Sequence, residues 1–230
     1  MESLAPLLPY AFVVVFVGTI IWSYFRNRQR RDALMTLAAA RGWSYAASDE
    51  SLCVRWYGVP FGRGDNLKAV NVLTGNVGGR PFTAFDYSYE THTSDSRGRH
   101  TQVHAFAVCV VPLPVPLGDV QVEPENALER LAGAVGLMQD VQLESEDFNR
   151  RFRVSATDPK LASDLLTPRT MEFLLSAPPL AWRIEGSDLI CWHSGNLAPD
   201  WVVMSVGVAD RVVDSVPAFV WKDRGYDPRS

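Results

Sequence analysis

Residues 4–25 pass without one Asp, Glu, Lys, Arg or His. About 20 apolar residues carry a helix across the hydrocarbon core of a bilayer, where a helix satisfies its own backbone. These 22 residues therefore predict a transmembrane anchor. Pro6 and Pro9 lie near its start, where a first helical turn tolerates proline. Tyr10 stands at one end and Trp22, Tyr24 and Phe25 at the other, as interfacial aromatics do. Arg26, Arg28, Arg30 and Arg31 follow, whereas the segment before the span carries only Glu2 and the amino terminus. The positive-inside rule then places the N-terminus outside and the remainder in the cytoplasm. A cleaved leader would need a basic start and a small-residue site soon after the apolar core. Here the start is acidic, and Ala38-Ala39-Ala40 lies beyond the arginines.

The expected organisation is an anchor with its basic flank over residues 1–31 and one domain over residues 32–230. The chain has 22 basic and 26 acidic residues, and setting aside Glu2 and the four flank arginines leaves 18 against 25. An acidic body argues against nucleic acid as a partner, since binding it requires basic surface to neutralise phosphates. The expected partners are the lipid bilayer and a protein that the sequence does not identify. Cys53, Cys109 and Cys191 are odd in number, far apart in the chain and form no C-x-x-C pair, which fits a reducing compartment.

Along the body, residues 29–41 read as a helix with Leu34, Leu37 and Ala38 on one stripe, stopped by Gly42. Residues 68–74, 82–89 and 100–111 read as strands, with a glycine-rich turn at 75–80 and a polar turn at 91–98. Pro112, Pro114 and Pro116 end the pairing. Residues 124–135 read as a helix, 141–143 as extended, 144–150 as a polar turn and 151–156 as a strand. Asp158-Pro159 and Thr167-Pro168 are cap-plus-proline helix starts, opening helices at 159–166 and 168–176. Residues 180–185 and 189–193 form a hairpin across Gly186-Ser187-Asp188, residues 199–215 a helix, and 217–221 an apolar coda. Hairpins followed by helices, without β-α-β alternation, predict an α+β domain of mainly antiparallel sheet with packed helices, behind an N-terminal transmembrane helix.

Several landmarks run along most of the body. They include Arg41-Gly42-Trp43, Gly79-Arg80 before an aromatic strand, Phe148-Asn149-Arg150-Arg151-Phe152, Trp182-Arg183-Ile184-Glu185-Gly186 and Pro217-Ala218-Phe219-Val220-Trp221. In these the chain resembles a family of uncharacterised bacterial, mainly actinobacterial, single-pass membrane proteins that carry a domain of unknown function. The resemblance implies a membrane-anchored cytoplasmic domain and no particular activity.

Two constellations carry candidate chemistry. Arg150 and Arg151 sit between Phe148 and Phe152, with Arg153 just after, and guanidinium forks suit an anion, a lipid headgroup or a partner; pairing with Glu144, Glu146 and Asp147 is the structural alternative. His92, His100 and His104 sit in or beside one hairpin. A turn centred near Asp95 would set Asp86 opposite His104 and Glu90 opposite His100, a donor set suited to zinc. A slip of one residue removes that pairing. No G-x-S-x-G, His-Glu-x-x-His or Walker pattern occurs. The leading expectation is therefore a membrane-tethered, non-enzymatic cytoplasmic interaction module with no catalytic residue, cofactor or metal ligand assigned. A metal-dependent enzyme or sensor built on the histidines is the alternative, as is an anion binder built on the Arg150–Arg153 segment.

The topology has a direct check. Alkaline phosphatase fused after Ser230 should stay inactive, and a fluorescent protein that matures only in the cytoplasm should glow. A mature chain beginning near Arg41 would instead mark a cleaved leader.

Overall fold

The computed structural model describes residues 8–95, 98–125 and 138–228, with all of their side chains except those of 8–16, 20 and 95. The fold is α+β. Helix α1 (Leu8–Arg41) leads into a nine-stranded sheet of order β1-β2-β3-β4-β9-β8-β5-β7-β6. The strands are β1 (Ser44–Ser48), β2 (Asp65–Val77), β3 (Arg80–Asp95), β4 (Gly98–Pro112), β5 (Val120–Pro124), β6 (Gln139–Val141), β7 (Phe152–Ala156), β8 (Ala181–Glu185) and β9 (Asp188–Ser194). Every neighbouring pair is antiparallel. Five further helices are described: α2 (Glu146–Arg151), α3 (Pro159–Leu165), α4 (Pro168–Ser176), α5 (Pro199–Ser215) and α6 (Ala218–Asp223).

Helix α1 is continuous across residue 31 and ends where Gly42 turns left-handed at φ 67°, a conformation that only glycine adopts at no steric cost. Its predicted stripe packs on the body, with Leu34 and Ala38 buried and Leu37 partly so. Residues 17–19 and 21–29 of the same helix are exposed, including Val17, Ile21, Trp22, Tyr24 and Phe25. Among the described residues no helix is long and apolar enough to cross a membrane.

One face of the sheet is largely apolar, although Asp86 is buried there. Ala84, Cys109, Cys191, Trp182, Val122 and Val154 lie opposite one another in a row across six strands and pack into one core with α1 and α5. Helix α5 is rich in valine, which disfavours helix through lost side-chain freedom. Burial of Val202, Val206, Val208, Val212 and Val213 overrides that preference.

The other face is divided. Across β2, β3, β4 and β9 it is apolar, and the segment after β1 closes over it. Asp49 caps a 3-10 helix (Glu50–Val54), after which Trp56, Val59 and Phe61 pack on Phe85, Tyr87 and Trp192. Across β8, β5, β7 and β6 the alternation puts polar residues on that face, with Arg183 beside Gln121, Gln121 beside Ser155, and Ser155 beside Asp140.

Three predicted elements are corrected. Residues 120–124 form strand β5, whose Val-Gln-Val-Glu alternation buries Val120 and Val122. Pro124 therefore closes a strand instead of opening a helix, and residues 126–135 of the predicted helix lie outside the described residues. The polar stretch 144–150 contains helix α2: the Ser145 hydroxyl accepts from the Phe148 amide as its N-cap, acids fill the first turn, and Arg150 and Arg151 fill the last. The polar turn between β3 and β4 is also far tighter than predicted, since the two strands stay paired out to Asp95 and Gly98.

Phe148 and Phe152 stack with ring centroids 4.9 Å apart and are buried. Phe148→Ala should destabilise the fold by about 3–5 kcal/mol in denaturant unfolding. Gly64 has φ 64°, and a Cβ there would collide with the Glu90 carbonyl oxygen. Gly64→Ala should therefore cost about 1–3 kcal/mol and loosen the segment that closes over the second core.

Candidate functional site

A polar network lies where α1 meets the sheet. Asp86 is 7% exposed on the helix-covered face of β3. Its Oδ1 accepts from Arg30 Nη1 at 3.0 Å and from the Leu197 amide at 2.5 Å, and its Oδ2 accepts from Asn71 Nδ2 at 2.7 Å. Asn71 reaches it because β2 bulges between Val70 and Leu73, which leaves Asn71 left-handed at φ 53°. The Asn71 carbonyl oxygen in turn accepts from the Tyr45 hydroxyl at 2.7 Å. Arg30 also donates to the Leu197 carbonyl at 3.4 Å, while its Nε is buried with no hydrogen-bond partner. One carboxylate thus joins α1, β2, β3 and the approach to α5.

Of the four flank arginines, Arg30 alone enters this network. Arg26 lies over the Trp22 ring at 5.2 Å and Arg31 over the Tyr45 ring at 5.9 Å. Beside the network a cleft of about 620 Å³ opens between α1 and β2, bordered by Tyr24, Asn27, Arg28, Arg31, Met35 and Asn71. Arg30 and Asp32 complete its wall.

The arginines of the aromatic segment go to three places. Arg150 is exposed and pairs with Asp147 one turn away. Arg151 donates to the carbonyls of Leu175 at 2.5 Å and Ala177 at 3.2 Å, closing the C-terminal end of α4. Arg153 lies on the polar face and grips Asp140 with Nε at 2.8 Å and Nη2 at 2.5 Å. That hydrogen bonding holds the Asp140 carboxyl below its ordinary range. Arg150 and Arg153 border a cleft of about 560 Å³ that also includes Glu125, Asp140 and Gln142. On the same face burial pushes Glu123 up, against Gln121, Arg153 and Arg183. Burial also pulls Arg183 down, opposed by Glu185, Asp119 and Glu123.

The histidines do not assemble with the carboxylates as predicted. The register sets Tyr89 opposite His104, Thr93 opposite His100 and Ala107 opposite Asp86. Glu90 faces Val103, and His92 faces Thr101 on the side of the hairpin away from His100 and His104. His104 stacks on Tyr89 and shares a hydrogen bond with Thr91, while His92 contacts Thr101 at 3.0 Å. Among the described residues no group of three or more His, Cys, Asp or Glu is placed to hold a metal. Cys109 and Cys191, remote in sequence, are direct cross-strand neighbours. Burial pushes the Cys109 thiol up to about 12 and Cys191 well above its ordinary value. Both stay protonated near neutrality, which removes the thiolate that nucleophilic chemistry needs.

The sequence reading did not find the roles of Asp86, Asn71 or Arg183. It placed Arg30 only in the basic flank, although Arg30 stands one turn before Leu34 on the packed stripe.

Asp86→Ala leaves Arg30 partly buried and unpaired and should cost about 3–5 kcal/mol, more than Arg30→Gln. Arg151→Ala should cost about 1–3 kcal/mol through the lost carbonyl contacts. Asp140 has a lowered folded pKa, so its contribution is present above its ordinary value of 3.8 and is lost as pH falls through the lower folded value. Asp140→Asn should flatten that acid limb in a stability–pH series. The effect should be about 1 kcal/mol or less, because the pair is well exposed.

No family model matches the chain, and no curated protein matches it. Among solved structures, the crystal structure of the mycobacterial trehalose monomycolate transport factor A, TtfA, is similar in fold, with a TM-score of 0.64 at 15% identity. The match covers 82% of this chain and 94% of that one. At that identity the likeness shows a shared fold.

Proposed function

We propose that this chain is a membrane-tethered, non-enzymatic interaction module whose body faces the cytoplasm. The observation that carries the reading is the division of α1. From Arg30 onward the helix is fixed to the sheet, whereas Val17, Ile21, Trp22, Tyr24 and Phe25 stand exposed on its other half. A row of large apolar side chains in water is unfavourable. A bilayer covers it, and the uncharged sequence before it continues in the same sense. The arginines that follow set the body on the cytoplasmic side.

From its fold neighbour, a transport factor, we take the kind of task, and the proposed tether makes a protein of the same membrane the partner.

The test compares the full chain with residues 26–230. The full chain should stay with membranes through an alkaline carbonate wash and, after detergent extraction, capture a membrane protein through a C-terminal tag. Residues 26–230 should be released by the wash. Release of the full chain would overturn the tether, and capture of nothing above background would overturn the interaction role.

A further inference from the structure

The cleft between α1 and β2 has a chemistry of its own. Tyr24, Arg28, Arg31 and Met35 follow one another at spacings of four, three and four residues, so they share one face of the helix. That face is distinct from the packed stripe of Arg30, Leu34 and Ala38, and Asn71 on β2 forms the opposite wall. We infer that this cleft binds a phosphate group, supplied by an anionic lipid headgroup and gripped by Arg28 and Arg31.

Charge is the first argument. Arg28 has no hydrogen bond or ion pair among the described residues, and Arg31 is held only by its face over Tyr45. Both guanidinium edges are therefore unspent, and their planar forks match phosphate oxygens. Arg30 lies deeper in the same wall, with Asp86 balancing its charge. Asp32 is the acid of the lining, so the lining keeps a net positive charge. The rest of the body is acidic, which leaves this stretch of α1 as the part an anionic surface attracts.

Depth is the second argument, and it rests on the proposed tether. Interfacial aromatics such as Trp22 and Tyr24 sit at headgroup level. At about 1.5 Å per residue, Arg28 lies roughly 6 Å and Arg31 roughly 10 Å beyond Tyr24 along the axis. Each interfacial layer is on the order of 5–8 Å thick. Arg28 therefore reaches the phosphate plane, and Arg31, just beyond the layer, reaches back to it with a long side chain that tilts towards the helix N-terminus. The cleft is open to both and large enough for a headgroup, at about 620 Å³.

The test places the full chain in nanodiscs of phosphatidylcholine mixed with phosphatidylglycerol and counts lipids retained in native mass spectrometry. Wild type should keep phosphatidylglycerol over phosphatidylcholine, and R28Q/R31Q should lower that preference about tenfold. R169Q, which removes an exposed arginine elsewhere, should leave it unchanged. A parallel arm follows the ³¹P line width of inorganic phosphate with the chain in phosphatidylcholine alone. Broadening by wild type but not by R28Q/R31Q, with equal lipid retention in both, upholds the phosphate site and overturns the lipid as its source. Equal lipid retention and equal line widths overturn the site. A chain that never enters the nanodisc defeats the tether instead, and the phosphate arm run on that chain in solution still decides the site.

Discussion

A carboxylate taken out of water must be surrounded by donors or the fold cannot keep it charged. Asp86 meets that demand with donors from three separate parts of the chain: a guanidinium from α1, a side-chain amide from a bulge in β2, and a backbone amide just before α5. Apolar contacts at Leu34 and Ala38 hold α1 against the sheet, but such contacts tolerate small slides and rotations. Directional bonds to one buried atom pair do not. The angle at which α1 leaves the body is therefore set by electrostatics placed on top of packing.

The sheet shows the same division of labour on a larger scale. Its helix-covered face supplies an apolar core continuous across the strands, so β8, β9, β5, β7 and β6 need no separate core of their own. On the reverse face the closing segment at residues 50–61 covers only the aromatic half. Arg183 stands at the seam, paired with Glu185, whose other oxygen accepts from the Tyr57 amide. Trp56 and Arg55 donate to Asp188 on the neighbouring strand. Polar ties at the border thus fix where the apolar cover stops and the charged half begins.

What was legible in the sequence was local. Gly42, Asp158-Pro159 and Thr167-Pro168 mark helix ends through their own backbone chemistry, and each stands where the reading put it. Strands with strong alternation were found as well. The histidine register was not, because it depends on the length of the turn, and polar residues at 91–95 look like loop while they are strand. The strand at 120–124 was hidden by a proline that its end position tolerates. The neighbours Cys109 and Cys191 meet only because the β8–β9 hairpin inserts between β4 and β5, an ordering that no local pattern encodes. Among the candidate arginines, Phe148 and Phe152 announced burial, but the partners of Arg151 and Arg153 lie on other elements and required the fold.

The unbroken course of α1 through residue 31 has a mechanical meaning. A body hung on a floppy linker would sample every orientation and meet a neighbour with any of its surfaces. Here 34 residues of helix, about 50 Å long, run into the sheet without a hinge and are pinned there by Arg30. Such a strut makes the body turn with the helix like a flag on a mast. In a tethered chain the search for a partner then reduces to drift in a plane and spin about one axis, with the same side of the sheet always at the same height.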